Sequence, residues 1–140
     1  MQWLLFAFLS SIFAAATSIL AKIGIKDINS NLATAIRTTV ILFFSWGIAI
    51  AQGAHTSLPQ ISRYSYTFLI LSGLATGFSW LFYFRALQLG DASRVVPIDK
   101  LSLVITIIFA AIFLKEKLSL QTGIGATLMT FGALLIAFAK

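Results

Sequence analysis

Asp99 is the one carboxylate inside the long apolar runs of this 140-residue chain, and Lys100 follows it directly. An isolated charge in hydrocarbon costs at least about 2.5–3.5 kcal/mol, so a membrane-depth aspartate needs a partner or water. Such a group can serve as a proton-coupling carboxylate or as half of a structural ion pair. Adjacent helical side chains diverge by about 100°, so Asp99 is expected to pair poorly with Lys100. Lys22 or Arg37 from a neighbouring helix is the better expected partner. Arg37 sits about two turns inside its run, where it either snorkels to the interface or lines a cavity. Arg85, beside Gln88 and near a run's end, reads as an interfacial anchor. Cysteine is absent and His55 is the single histidine. That composition offers no disulfide, no thiol nucleophile, no thiolate or histidine-cluster metal site and no histidine relay. With no paired carboxylates either, no enzyme, metal or cofactor is expected.

The hydroxyl residues add a pattern. At 100° per residue, Ser11, Ser18 and Lys22 fall on one side of the first run. Thr34, Thr38, Ser45 and Gln52 form a stripe on the second, with Arg37 at its edge. Ser65, Ser72, Thr76, Ser79 and Tyr83 align on the third, and Asp99, Ser102 and Thr106 on the fourth. Any one such hydroxyl can bond back to its own helix. Four stripes, each with a charge or an aromatic hydroxyl, are expected to share a polar interior. The substrate-path candidates are therefore Lys22, Arg37, Thr38, Ser72, Thr76, Ser79, Tyr83, Asp99, Lys100, Ser102 and Thr106.

Composition dictates what must hold these residues. The chain is 59% hydrophobic and 10% charged, with a mean hydropathy of +0.98. Ten Lys and Arg with four Asp and Glu cannot cover a soluble domain, and so much apolar surface excludes disorder. Lipid must be the solvent. The net charge of +6 then reads as loop cations facing anionic headgroups, with no nucleic-acid partner. About 20 apolar residues cross the hydrocarbon core. Five runs qualify, at about 3–21, 32–51, 66–89, 95–114 and 120–139, and they lack the alternation of strands. The expectation is an all-α membrane protein, one domain over 1–140 with five transmembrane helices, multi-pass in the cell (inner) membrane. Ala14-Ala15-Ala16 imitates a signal-peptide cleavage site, but no basic segment precedes it and four spans follow, so cleavage is not expected.

Boundary residues support these spans. Ser30 and Asn31 are expected to cap the second helix, Asp91 or Ser93 the fourth, and Ser119 the fifth. Gly90 is expected to close the third. Gly73 and Gly77 on the third span, with Gly125 and Gly132 on the fifth, are expected to let helices approach closely. Five spans put the termini on opposite sides. Arg63, Lys115 and Lys117 lie on one side and Lys22, Lys26, Arg94 and Lys140 on the other, nearly balanced, as in a protein that inserts both ways. If Arg37, Arg85 and Lys100 snorkel to the second side, the count favours a cytoplasmic carboxyl terminus instead.

The stretch Tyr83-Phe84-Arg85-Ala86-Leu87-Gln88-Leu89-Gly90, with Asp91-Ala92-Ser93-Arg94-Val95-Val96-Pro97 after it, resembles the end of the third and start of the fourth helix in the EamA family of the drug/metabolite transporter superfamily. Phe113-Leu114-Lys115-Glu116-Lys117-Leu118-Ser119 is similar to that family's glycine–glutamate connector, and the likeness runs on through Gly125-Ala126 and Gly132-Ala133-Leu134-Leu135. Ala21-Lys22-Ile23-Gly24 and Ser30-Asn31-Leu32-Ala33-Thr34-Ala35-Ile36-Arg37-Thr38 resemble the small single-domain branch. Three departures stand out. The proline that larger relatives carry in mid-fourth helix is missing from Leu101-Ser102-Leu103-Val104-Ile105-Thr106, so no kink is expected there. Lys115 stands where the connector usually has glycine. The first span also lacks the glutamate of the small multidrug-resistance relatives, so their proton-antiport chemistry does not carry over.

The resemblance implies half of an inverted-repeat transporter, since typical relatives have ten spans in two oppositely oriented five-span repeats around a central site. It implies an antiparallel homodimer, or pairing with an oppositely oriented homologue, and alternating access with the first, third and fourth spans lining the path. A small-molecule or metabolite exporter is the leading expectation. The interior cations Lys22, Arg37 and Lys100 outnumber Asp99 and lean towards an anionic or zwitterionic substrate. A non-transporting subunit packed beside a larger membrane complex is the alternative.

Overall fold

The structure, a computed structural model, describes residues 2–139; Lys140, counted above for orientation, lies outside them. Six α-helices form the five spans: α1 Gln2–Gly24, α2 Ser30–Ala51, α3 Arg63–Leu89, α4 Ala92–Asp99, α5 Ser102–Phe113 and α6 Leu120–Phe138. No strand occurs among the described residues. The α2–α3 connection holds a 3₁₀ helix, Ala54–Gln60, entered through Gly53 at a left-handed φ of 70°.

The fourth span is where the expected continuity fails. Leu101, Leu103 and Val104 each donate their amide to the carbonyl three residues back, at 3.0 Å. One turn is therefore wound as 3₁₀, and α4 stops at Asp99 while α5 starts at Ser102. Pro97 lies inside α4, one turn before the interruption. A break thus occurs without the mid-helix proline of larger relatives.

Local chemistry accounts for the ends. The cap of α2 is Asn29, one residue earlier than expected: its Oδ1 accepts from the amides of Asn31 at 2.8 Å and Leu32 at 3.4 Å. Ser119 caps α6 as expected, its Oγ accepting from Thr122 N at 3.1 Å. Asp91 occupies the α4 cap position without a side-chain bond. In the α5–α6 connector, Lys115 takes a φ of 55° and Glu116 N folds back onto Ala110 O at 3.2 Å. This left-handed conformation is what a glycine supplies without strain, which explains the residue the connector usually has there.

The chain divides into two compact units: one runs from Ala21 to Gln88, and the other joins the segment up to Leu20 with everything from Leu89 on. In the second unit α6 packs along α4 and touches α5. In the first, α2 rests on the 3₁₀ helix. Ile25, Phe84 and Leu87 are withdrawn from the surface, whereas Phe43, Phe82, Leu120 and most other large apolar side chains stand exposed. A surface of that kind needs lipid or another chain against it. All five spans are long and apolar enough to cross a bilayer.

Candidate functional site

Within Ala21–Gln88, polar side chains join the end of α3 to the α1–α2 turn. The Lys22 ammonium donates to Leu87 O at 2.5 Å, meeting one of the carbonyls a helix leaves unpaired in its last turn. Gln88 Nε2 donates to Ile25 O at 3.1 Å and to Ile28 O at 2.6 Å. Its Oε1 accepts from the Arg85 guanidinium at 3.0 Å. Gln88 was not among the expected site residues, yet it ties the end of α3 to the α1–α2 turn. Replacing it with alanine removes three bonds at once, worth about 0.5–1.5 kcal/mol each in net terms. Water reaching the freed carbonyls offsets part of this, so Gln88→Ala is expected to destabilise the protein by about 1–3 kcal/mol. Equilibrium unfolding in mixed micelles checks it, and an unchanged midpoint would mean that Gln88 does not clamp α3 to the turn.

Arg37 projects from α2 onto the aromatic side chains of α3. Its guanidinium carbon lies 4.4 Å from the centroid of the Trp80 ring and 5.3 Å from that of Phe84. Tyr83 stands edge-on to Phe84, with centroids 6.2 Å apart. Trp80 and Phe84 were missed as site residues, although their i, i+4 spacing puts both rings on one side of α3.

In the other unit, the Asp99 carboxylate meets the Lys100 ammonium at 3.4 Å, contrary to the expectation that these neighbours pair poorly. The expected divergence assumes a continuous α-helix, and Lys100 sits at the 3₁₀ interruption where that spacing fails.

The hydroxyls bond along their own helices. Ser18 donates to Ala14 O, Thr38 to Thr34 O, Thr76 to Ser72 O and Thr106 to Ser102 O, all between 2.8 and 2.9 Å. Ser79 is exposed on α3. These bonds are local, so the stripes do not by themselves bring the candidates together. A Cβ built on Gly73, Gly77, Gly125 or Gly132 meets no atom within 4 Å among the described residues.

The model of the EamA-like transporter family matches residues 1–138. An uncharacterized transporter encoded in the cobO 3′ region of a Sinorhizobium species is 51% identical over 136 residues, covering 97% of this chain and 96% of that protein. An uncharacterized protein of Methanocaldococcus jannaschii is 34% identical over 74 residues, covering 53% of this chain and 54% of that protein. No solved structure matches.

Proposed function

We propose, from the premise that this chain belongs to the EamA-like transporter family, that it exports a small metabolite by alternating access as an antiparallel pair of copies. That it is a multi-pass membrane transporter follows from the family and the five spans. The direction, the mechanism and the pairing are the proposal, as is the absence of any enzymatic step.

The observation that carries it is the number five. The family match over residues 1–138 takes in five spans, and a path open alternately to either side needs a second unit of opposite orientation. An odd span count puts the termini on opposite faces, and the near balance of loop cations weakens any preference for one orientation. A second copy inserted the other way is the simplest source of the missing half. The exposed apolar side chains and the open space beside Gly73, Gly77, Gly125 and Gly132 leave room for it.

Reconstitution tests both parts. Purified protein in liposomes is expected to give saturable flux of at least one member of a broad metabolite panel. A cysteine introduced near the amino terminus, in a chain with no native thiols, is expected to be labelled from both faces. Labelling from one face would replace self-pairing by an oppositely oriented homologue. Intact assembly with no flux across the panel would overturn transport and favour the packing-subunit role.

A further inference from the structure

Arg37 is a charged side chain that the fold positions and leaves, among the described residues, without a carboxylate. It is the eighth residue of α2, about 10 Å from that helix's start. The end of α3 lies beside the same turn, because Gln88 bonds to Ile25 and Ile28 just before α2. On α3, Phe84 lies about 7 Å from the helix end and Trp80 about 13 Å. The guanidinium is nearer to Trp80, the deeper ring. Arg37 therefore does not snorkel outward. It is held inward by two aromatic faces, a geometry that attracts the cation through the ring quadrupoles.

The guanidinium carbon lies over the two rings, a contact that needs no hydrogen-bond acceptor for its N–H groups. Among the described residues, no carboxylate and no hydrogen-bond acceptor engages the five N–H donors of Arg37. The two nearby cations differ in this respect, since Lys22 is bonded to Leu87 O and Arg85 to Gln88. The planar fork of a guanidinium matches the paired oxygens of a carboxylate or phosphate. A cation at this depth with free donors is stabilised most by an oxyanion that arrives with the ligand.

We propose that Arg37, backed by Trp80 and Phe84, is a binding site for the oxyanion of a small carboxylate or phosphate compound. As a statement about substrate class it rests on the transport reading; as a statement about binding it stands apart from it. The same chemistry is offered by the headgroup of an anionic lipid, so the test separates the two sources.

Trp80 becomes the single tryptophan reporter in a Trp3→Phe, Trp46→Phe background. The protein is placed in phosphatidylcholine nanodiscs and titrated with sodium succinate and with sodium phosphate, against sodium chloride at matched ionic strength. A saturable change in Trp80 fluorescence is expected with at least one oxyanion and not with chloride. Arg37→Gln is expected to weaken it by roughly tenfold or more, the loss of a bidentate charge-assisted contact, and Arg37→Lys by less. Thermal unfolding of the unmutated protein gives a readout independent of these variants, with the midpoint raised by the oxyanion above its value in chloride. If free anions give nothing but phosphatidylglycerol nanodiscs change Trp80 in an Arg37-dependent way, the oxyanion is a lipid headgroup. No Arg37-dependent response to any of the three overturns the site. Flux confined to neutral or cationic solutes, with no such response, would sink the site and leave transport standing; binding without flux would do the reverse.

Discussion

Leu128→Asp is expected to stop the last span from inserting, an effect of about two orders of magnitude on the inserted fraction. Leu128 is the ninth residue of the 19-residue α6 and is 66% exposed, so its side chain faces outward at mid-span. On insertion scales, replacing leucine by aspartate at a helix centre shifts the free energy by about 3–4 kcal/mol, and every 1.4 kcal/mol is a factor of ten. Other helices could absorb such a charge by sliding along the membrane normal. α6 has no slack, because 19 residues rise about 28 Å against a hydrocarbon core of about 30 Å. Leu118→Asp is the control: Leu118 lies in the connector and is already exposed, so the same charge there is expected to change little. Glycosylation acceptors placed after α6 report which side the carboxyl terminus reaches. Equal insertion of the two variants would mean that α6 does not cross a membrane.

The contrast between these two leucines shows why the spans were legible in the sequence. The length and continuity of apolar runs are properties of a linear string, and lipid imposes its thickness on that string directly. Helix ends were legible to within about three residues, and the α6 cap to the residue, Ser119; the α2 cap moved from Ser30 to Asn29, a neighbouring residue of the same capping class. The interruption in the fourth span was not legible. Nothing in Leu101-Ser102-Leu103-Val104 breaks a helix, and a change from i→i−4 to i→i−3 bonding leaves no signature in apolar periodicity. The environment of Arg37 was half legible. Its depth and its lack of a carboxylate on its own helix could be counted. Its aromatic partners on α3, 43 and 47 residues away, depend on how α2 and α3 come together. What the polar stripes line was not legible, because a hydroxyl that bonds back to its own helix has the same angular position as one that lines a path.

Lys100→Gln is expected to be more damaging than Asp99→Asn, although each removes one half of the same ion pair. Both residues sit at the 3₁₀ turn, about 12 Å along the span from Ala92, with Asp99 34% and Lys100 54% exposed. Lysine has four methylenes on which to reach the interface if its partner is lost, so Asp99→Asn is expected to cost less than about 1 kcal/mol. Aspartate has one. When Lys100→Gln removes the counter-charge, the carboxylate is held at depth on a short stem, and about 2.5–3.5 kcal/mol is exposed. The double variant Asp99→Asn, Lys100→Gln has no charge to strand and is expected to recover most of that loss. A double-mutant cycle on unfolding in mixed micelles, run beside the amount of membrane-integrated protein, measures the coupling. The asymmetry distinguishes a lipid-facing pair from a water-exposed one, where two single losses would be small and alike because solvent screens both charges. Equal and additive effects would place the fourth-span break in water instead of against lipid.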